Sequence, residues 1–321
     1  LWVPAVADSA AGLIAVAVAR PRAWVSTLKP LRHLTSTSAS DARCRHDRAE
    51  GLRRGTVMTL DKVLMPVLDG HPDVFEREWP LRVADIDRYG RLRLDAAARH
   101  IQDVGQDHVH DLGFDESHPL WVVRRTMIDL IRPIEFQDTL RLRRWCSATS
   151  TRWCETRVRI DGGKGGLIES EAFWININRD TLMPSRISDD FLEALQRTTA
   201  VHRLRWKAYL KPGDRENAAQ IREFPVRFTD IDLFDHVNNC VYWSVVEDYL
   251  SATPEMLSEP LRVTIEHEAP MALGDKLDII AHVHPPDSTD MFGPELIDRT
   301  VTTLTYAVSD ETKAIASIFA L

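Results

Sequence analysis

One block of sequence occurs twice in this chain, and the duplication constrains the fold more than any other feature. Pro80-Leu81-Arg82-Val83-Ala84-Asp85-Ile86-Asp87 recurs as Pro225-Val226-Arg227-Phe228-Thr229-Asp230-Ile231-Asp232, identical at five of eight positions and at an offset of 145. A helical pattern follows each copy. Leu94, Ala97, Ala98, Ile101 and Val104 share one helical face in the first, and Tyr242, Val245, Val246 and Tyr249 repeat the start of that spacing in the second. A further match, at an offset of 137, aligns Arg125-Thr126-Met127-Ile128-Asp129-Leu130-Ile131-Arg132-Pro133 with Arg262-Val263-Thr264-Ile265-Glu266-His267-Glu268-Ala269-Pro270. Alternating runs come next: Leu140-Arg141-Leu142-Arg143, Thr156-Arg157-Val158-Arg159-Ile160 and Leu277-Asp278-Ile279. Their alternation is that of half-buried antiparallel strands. Gly162-Gly163-Lys164-Gly165-Gly166 predicts a turn between two such strands. Each half therefore reads as strand, long helix, then a meander of strands. A repeat of this length is not a solenoid. It predicts two like domains that pair, with strand edges free to join into one continuous sheet.

The 321 residues are 44% hydrophobic and 27% charged, which excludes a mostly disordered chain and supplies a buried core. No apolar run approaches the ~18 residues of a membrane span. The net charge of −8 disfavours non-specific nucleic-acid binding. That charge is unevenly spread, because residues 1–57 carry +5 and the remainder −13. Residues 1–57 are rich in Ala, Arg and Ser and show no sustained period. They are expected to be a disordered extension or the product of a mis-set start, with the folded protein beginning at Met58. The expected organisation is an N-terminal repeat over 58–186, a polar linker over 187–223 punctuated by Pro212-Gly213-Asp214, and a C-terminal repeat over 224–321. Cys44, Cys146, Cys154 and Cys240 form no C-x-x-C pair and read as small buried residues of a cytoplasmic protein.

The two copies are most informative where they differ. His236 corresponds to Arg91, Asn238 and Asn239 to Arg93 and Leu94, and Glu268 to Ile131. The C-terminal copy thus holds a histidine and a carboxylate where the other has neither, which points to one working site and one scaffold half. Asn238 or Asn239 is placed to cap a helix. His236 then lies beside the free N–H groups and positive end of that helix, where a developing oxyanion can be held. Glu268 is expected on a strand facing a partly dry pocket, where a carboxylate serves as general base. Asp232, four residues before His236, is placed to hold the imidazole or a water.

Arg-Phe-Thr-Asp-Ile-Asp-Leu-Phe-Asp-His-Val-Asn-Asn-Cys-Val-Tyr-Trp, from Arg227 to Trp243, resembles the hot-dog thioesterase signature, in which D-x-D-x-x-x-H-V-N-N opens the central helix. Leu120-Trp121-Val122-Val123-Arg124-Arg125, Thr151-Arg152-Trp153 and Ala172-Phe173-Trp174-Ile175-Asn176-Ile177-Asn178 are similar to the first half of the tandem acyl-acyl carrier protein thioesterases of plants and bacteria. The likeness runs over about residues 75–321. It implies an α+β tandem (double) hot-dog, with two long central helices each wrapped by antiparallel strands of a continuous sheet. It implies hydrolysis of a fatty acyl thioester carried by acyl carrier protein or by CoA. The same fold also serves dehydratases and non-catalytic acyl-binding modules.

By that resemblance Asp232, His236 and Glu268 match three members of the family's catalytic group. The plant members carry an Asn two residues before the His, where this chain has Phe234, and a Cys after the Glu, where this chain has Ala269. A cysteine acyl-enzyme at that position is therefore excluded, and Asn238 joins the catalytic candidates, with Phe234 and Asn239 among the substrate contacts. The implied mechanism has water as nucleophile, Glu268 as base, Asp232 as its positioner, and His236 with the N–H groups near Asn238 on the oxyanion. The acyl chain requires an apolar tunnel in the N-terminal half, with Ile101, Val104 and Trp121 as lining candidates. An acidic carrier protein would dock on a basic patch, for which the strands at Arg124–Arg125, Arg141–Arg144 and Arg157–Arg159 are candidates. No H-E-x-x-H, Walker loop or G-x-G-x-x-G occurs, so neither metal nor cofactor is expected. A homodimer is left open.

Overall fold

Ten strands form one antiparallel sheet in the computed structural model, which describes Leu68 and residues 70–286 and 299–321. The extension over residues 1–57 lies outside the described residues. The first half contributes β1 (Phe75–Pro80), α1 (Leu94–Asp111), β2 (Trp121–Arg132), β3 (Thr139–Thr149), β4 (Trp153–Gly162) and β5 (Leu167–Asn176). A short helix, α2 (Asp189–Gln196), follows. The second half contributes β6 (Gln220–Pro225), α3 (Asn239–Leu250), β7 (Leu261–His267), β8 (Lys276–His284), β9 (Val301–Val308) and β10 (Glu311–Ala320). The order across the sheet is β1-β3-β4-β5-β2-β7-β10-β9-β8-β6.

With β1 equivalent to β6, β2 to β7 and so on, that order is the same from either edge. The halves are therefore related by a pseudo-two-fold axis at the β2–β7 seam. Met127 pairs with Thr264 there, and these are also residues matched at the offset of 137, so the axis passes through this pair. Two ion pairs flank it, Arg125 Nη1–Glu266 Oε1 at 3.2 Å and Arg262 Nη2–Asp129 Oδ2 at 2.6 Å. The offset carries one pair into the other. Glu266 and Asp129 are fully buried, so each carboxylate depends on its arginine for compensation.

The helices follow the expected faces. Leu94, Ala97, Ala98, Ile101 and Val104 of α1 and Tyr242, Val245 and Val246 of α3 are buried in one core against Ile128, Val263, Ile265 and Tyr306 of the sheet. The pair is unequal, however: α1 has 18 residues and α3 only 12. The expectation of two long helices fails at α3. The shorter helix accounts for six of the eight residues by which the offset drops from 145 to 137.

The turn before each helix is duplicated nearly atom for atom. Asp87 Oδ1 accepts from the N–H groups of Tyr89 (2.8 Å) and Arg91 (2.9 Å), and Asp232 Oδ1 from those of Phe234 (2.8 Å) and His236 (3.3 Å). Both turns need one residue in the left-handed region. Gly90 supplies it at φ +81°, and its equivalent Asp235 supplies it at φ 59°, a conformation Asp tolerates.

The linker is not the polar loop that its composition predicts. Ser188 caps α2 through the N–H of Phe191, and Ile187, Phe191 and Leu195 bury against Cys146 and Cys154 in a second small core. Each such side chain contributes about 1.5–3 kcal/mol on burial. The following strap crosses the sheet face opposite α1 and α3. Leu204 O accepts from Trp153 Nε1 at 2.9 Å, Trp206 packs on Phe173, and Tyr209 lies under the Arg125 guanidinium at 4.1 Å. The N–H groups of Tyr209 and Leu210 donate to Glu266, at 3.0–3.1 Å, so the strap is tied to the seam itself.

Candidate active site

A narrow cleft with room for about one water opens between the two helices. Ala98, Ile101 and Gln102 of α1, Val123 and Thr126 of β2, Trp174 of β5 and Asn239, Cys240 and Trp243 of α3 line it. Its lining is mostly apolar, with Gln102, Thr126, Asn239 and Cys240 as the polar members. Of the residues proposed from sequence to line an acyl tunnel, Ile101 faces this cleft. Val104 is fully buried in the main core, and Trp121 packs with His118 and Phe191 in the second core. Neither borders the cleft.

The N-terminus of α3 forms one end of the cleft. Asn238 is its N-cap, with its side chain accepting from the Cys240 N–H at 2.9 Å. That leaves the first helical N–H, on Asn239, with no acceptor among the described residues. The equivalent N–H in the other half, on Leu94, is taken by Glu247 of α3, whose Oε2 accepts it at 2.6 Å. Burial, with Asp95 and Asp87 nearby, pushes the Glu247 carboxyl up to about 7 against the pull of the Leu94 N–H and Arg93. The Arg91 side chain closes the same end of the first half, bonding Asp87 Oδ2 (2.8 Å), Pro254 O (3.0 Å) and Ser258 Oγ (2.9 Å). One helix end is thus plugged and the other open.

His236 is exposed in the turn that Asp232 braces, and its carbonyl accepts the Asp232 N–H at 2.8 Å. Phe234 stands half exposed beside it. Glu268 differs from its expected setting. It lies one residue past the end of β7, its own N–H donating to Lys313 O at 2.8 Å, and its side chain is 38% exposed rather than enclosed. Arg124 holds it, with Nη2 at 3.6 Å from Oε2 and Nη1 at 3.3 Å from its carbonyl oxygen. Arg124 also lies over the Trp206 ring of the strap at 5.3 Å, so its guanidinium and the Glu268 carboxylate it holds are on the strap side of the sheet and do not line the cleft. Among the described residues no hydrogen bond or ion pair joins the side chains of Asp232, His236 and Glu268.

Three cysteines are free thiols among the described residues. Cys240 sits in the cleft at a helix N-terminus, a position that usually favours thiolate. Burial, together with Asp103, outweighs the helix and pushes its thiol up to about 12. It is a proton donor, to Gln102 Oε1 at 3.6 Å, and not a nucleophile at neutral pH.

The Arg-rich strands do not form a free basic patch. Arg141 pairs with Glu76, Arg143 with Asp161, Arg157 with Glu171, and Arg159 with Asp161 and Glu169. Arg124 and Arg125 hold Glu268 and Glu266. Arg144 is buried, with Nη1 against His108 Nδ1 at 2.6 Å. All of these but Arg144 pair with a carboxylate, and the sequence does not show this because most of the partners lie on other strands.

Residues missed from the sequence include Gln102, Thr126, Trp174 and Trp243 of the cleft, and Glu247, which plugs the other helix end. The offset of 145 places Gln102 and Glu247 at equivalent helix positions, a correspondence that gains meaning only from the facing of the two helices.

Family models match almost the whole described region. The acyl-ACP thioesterase N-terminal domain matches residues 72–195, and the C-terminal domain residues 213–320. The chain is 44% identical over 211 residues to an uncharacterized protein of Mycobacterium tuberculosis, covering 66% of this chain and 83% of that one. Two solved structures share the fold. An acyl-ACP thioesterase from Bacteroides thetaiotaomicron superimposes with a TM-score of 0.60 at 14% identity, over 77% of this chain and 97% of its own. The 12:0-ACP thioesterase from Umbellularia californica gives 0.59 at 18% identity, over 78% and 94%.

Proposed function

The chain belongs to the acyl-ACP thioesterase family and is a thioester hydrolase, and from that premise we propose that it releases free fatty acid from acyl chains carried by acyl carrier protein. The observation that carries this reading is the asymmetry of the helix ends. A thioester carbonyl can approach the Asn239 N–H from the cleft, whereas Glu247 fills the matching place at Leu94. An open N–H at the positive end of a helix, in a water-poor cleft, stabilises the oxyanion of a tetrahedral intermediate.

In the proposed reaction a water is the nucleophile. Glu268, held by Arg124, takes its proton. His236 assists at the developing oxyanion. Asp232 holds the turn that presents His236 through Oδ1. Asn238 sets the helix end as its cap. Asn239, Phe234 and Ile101 contact the substrate. The fold reading completes this picture: residues 58–186 and 224–321 as two hot-dog repeats, α1 and α3 their central helices, joined through 187–223. The free thiols accord with a cytoplasmic setting.

Turnover of palmitoyl thioesters on acyl carrier protein and on CoA, measured in parallel, tests the reading. Preference for the carrier-protein substrate is expected. Preference for CoA would move the chain to acyl-CoA hydrolysis, and binding without turnover would make it an acyl-binding module.

A further inference from the structure

The contact between Glu247 and Leu94 has a counterpart across the pseudo-two-fold axis. The offset of 145 carries Leu94 to Asn239 and Gln102 to Glu247. Glu247 reaches from α3 to the first N–H of α1, at 2.6 Å. Gln102 occupies the equivalent place on α1, and it lines the cleft beside Asn239 and Cys240 at the start of α3. The first half therefore demonstrates that a side chain of this length, on this helix face, reaches the first N–H of the opposite helix.

The two side chains are nearly isosteric and chemically opposite. An ionised carboxylate offers acceptors alone, so Glu247 occupies the N–H and closes its end of the first half. A carboxamide also carries two N–H donors. Gln102 Oε1 already accepts from Cys240 Sγ at 3.6 Å, which leaves Nε2 as the donor. The thiol that fixes this orientation stays protonated, since burial pushes it up to about 12. Cys240 thus acts as a positioning residue for the amide.

Building on the thioesterase reading, we propose that Gln102 is a catalytic residue, its Nε2 donating with the Asn239 N–H to the thioester carbonyl oxygen. The oxyanion pocket is then built from both halves of the duplication. Water oxygen bonds to the carbonyl carbon, the carbonyl π pair moves to oxygen, and the water proton goes to Glu268. The C–S bond breaks as that pair returns, and the leaving sulfur takes the proton to give a thiol and a free acid. Both donors strengthen as charge develops, so they lower the barrier more than they tighten substrate binding.

The test is turnover of palmitoyl-CoA or palmitoyl carrier protein, whichever the wild type prefers, by wild type, Gln102→Ala, Gln102→Glu and Glu247→Gln. Gln102→Ala should lower kcat by about 10²-fold, the scale of losing one oxyanion donor, with little change in KM or Tm. Gln102→Glu should copy the plugged half. It should be nearly inactive where the new carboxyl is ionised and regain turnover as pH falls and the carboxyl becomes a donor, a limb absent from wild type. Glu247→Gln should turn over as wild type. The proposal is overturned if Gln102→Ala keeps wild-type kcat, or if Gln102→Glu follows the wild-type pH profile. A wild type without turnover overturns the hydrolase reading instead. In that case the Kd of a palmitoyl-CoA analogue with a ketone in place of the thioester decides. Weaker binding by Gln102→Ala upholds the contact, and equal binding removes it.

Discussion

Glu247 offers a sharp physical test of the plugged half, because its carboxyl is pushed up to about 7 from an ordinary 4.5. Burial is the leading cause, and Asp95 and Asp87 add to it. A carboxyl whose folded-state pKa is raised binds its proton more tightly in the folded chain than in the unfolded one. Its contribution to stability is complete below about pH 4.5 and is lost as pH rises through about 7. The gap corresponds to about 3 kcal/mol at most. Glu247→Gln keeps an acceptor for the Leu94 N–H but cannot ionise. Urea unfolding of both proteins from pH 4.5 to 8 isolates the effect, because every other titrating group cancels in the difference. Wild type is predicted to lose up to about 3 kcal/mol relative to Glu247→Gln over that range. A difference independent of pH would show that Glu247 is solvated and that the Leu94 end is not plugged by a buried carboxyl.

Other outcomes follow from the same geometry. His236→Ala should reduce kcat by ~10²-fold or more, whereas Arg91→Ala should lower Tm, through the lost bonds to Asp87, Pro254 and Ser258, and leave turnover near wild type. Comparable activity losses would contradict a single working site. Glu266→Ala strands the Arg125 guanidinium and two strap N–H groups, so a loss of about 3 kcal/mol is expected, with faster proteolysis between residues 197 and 219. Unchanged urea stability and cleavage would show that the strap is not held at the seam. His267, buried and pushed down to about 4, contributes stability above pH 6.5 that is lost as pH falls through about 4. His267→Gln should shrink that acid sensitivity in urea titrations, and an unaltered acid limb would assign it elsewhere.

The duplication made most of the fold legible. A repeated Pro-x-Arg block, one helical face per half and alternating strands specify two like units, while the seam pair Met127–Thr264 came only from the strand register. Three features stayed hidden for physical reasons. The strap reads as polar because its few anchors, such as Trp206 and Tyr209, bind through stacking and backbone N–H groups that carry no periodic signal. The Arg-rich strands resemble a docking surface until the register sets Arg157 opposite Glu171 and Arg159 opposite Glu169. Glu268 reads as an enclosed strand residue, yet β7 ends at His267 and the next carboxylate is partly exposed beside Arg124. For the candidate site, the turn from Asp232 to Asn239 was visible because the halves differ there. Gln102 was not, because its partner Glu247 becomes meaningful only once the helices are known to face one another.

The most direct test of the central claim is the Glu268→Gln variant on a single palmitoyl thioester. General-base catalysis contributes about 10²–10⁴-fold, so kcat should fall within that range. KM and Tm should stay near wild type, since the group acts in the transition state and its side chain is partly exposed. A Glu268→Gln enzyme with wild-type turnover would contradict the mechanism, and a loss confined to Asp232→Asn would move the base to Asp232.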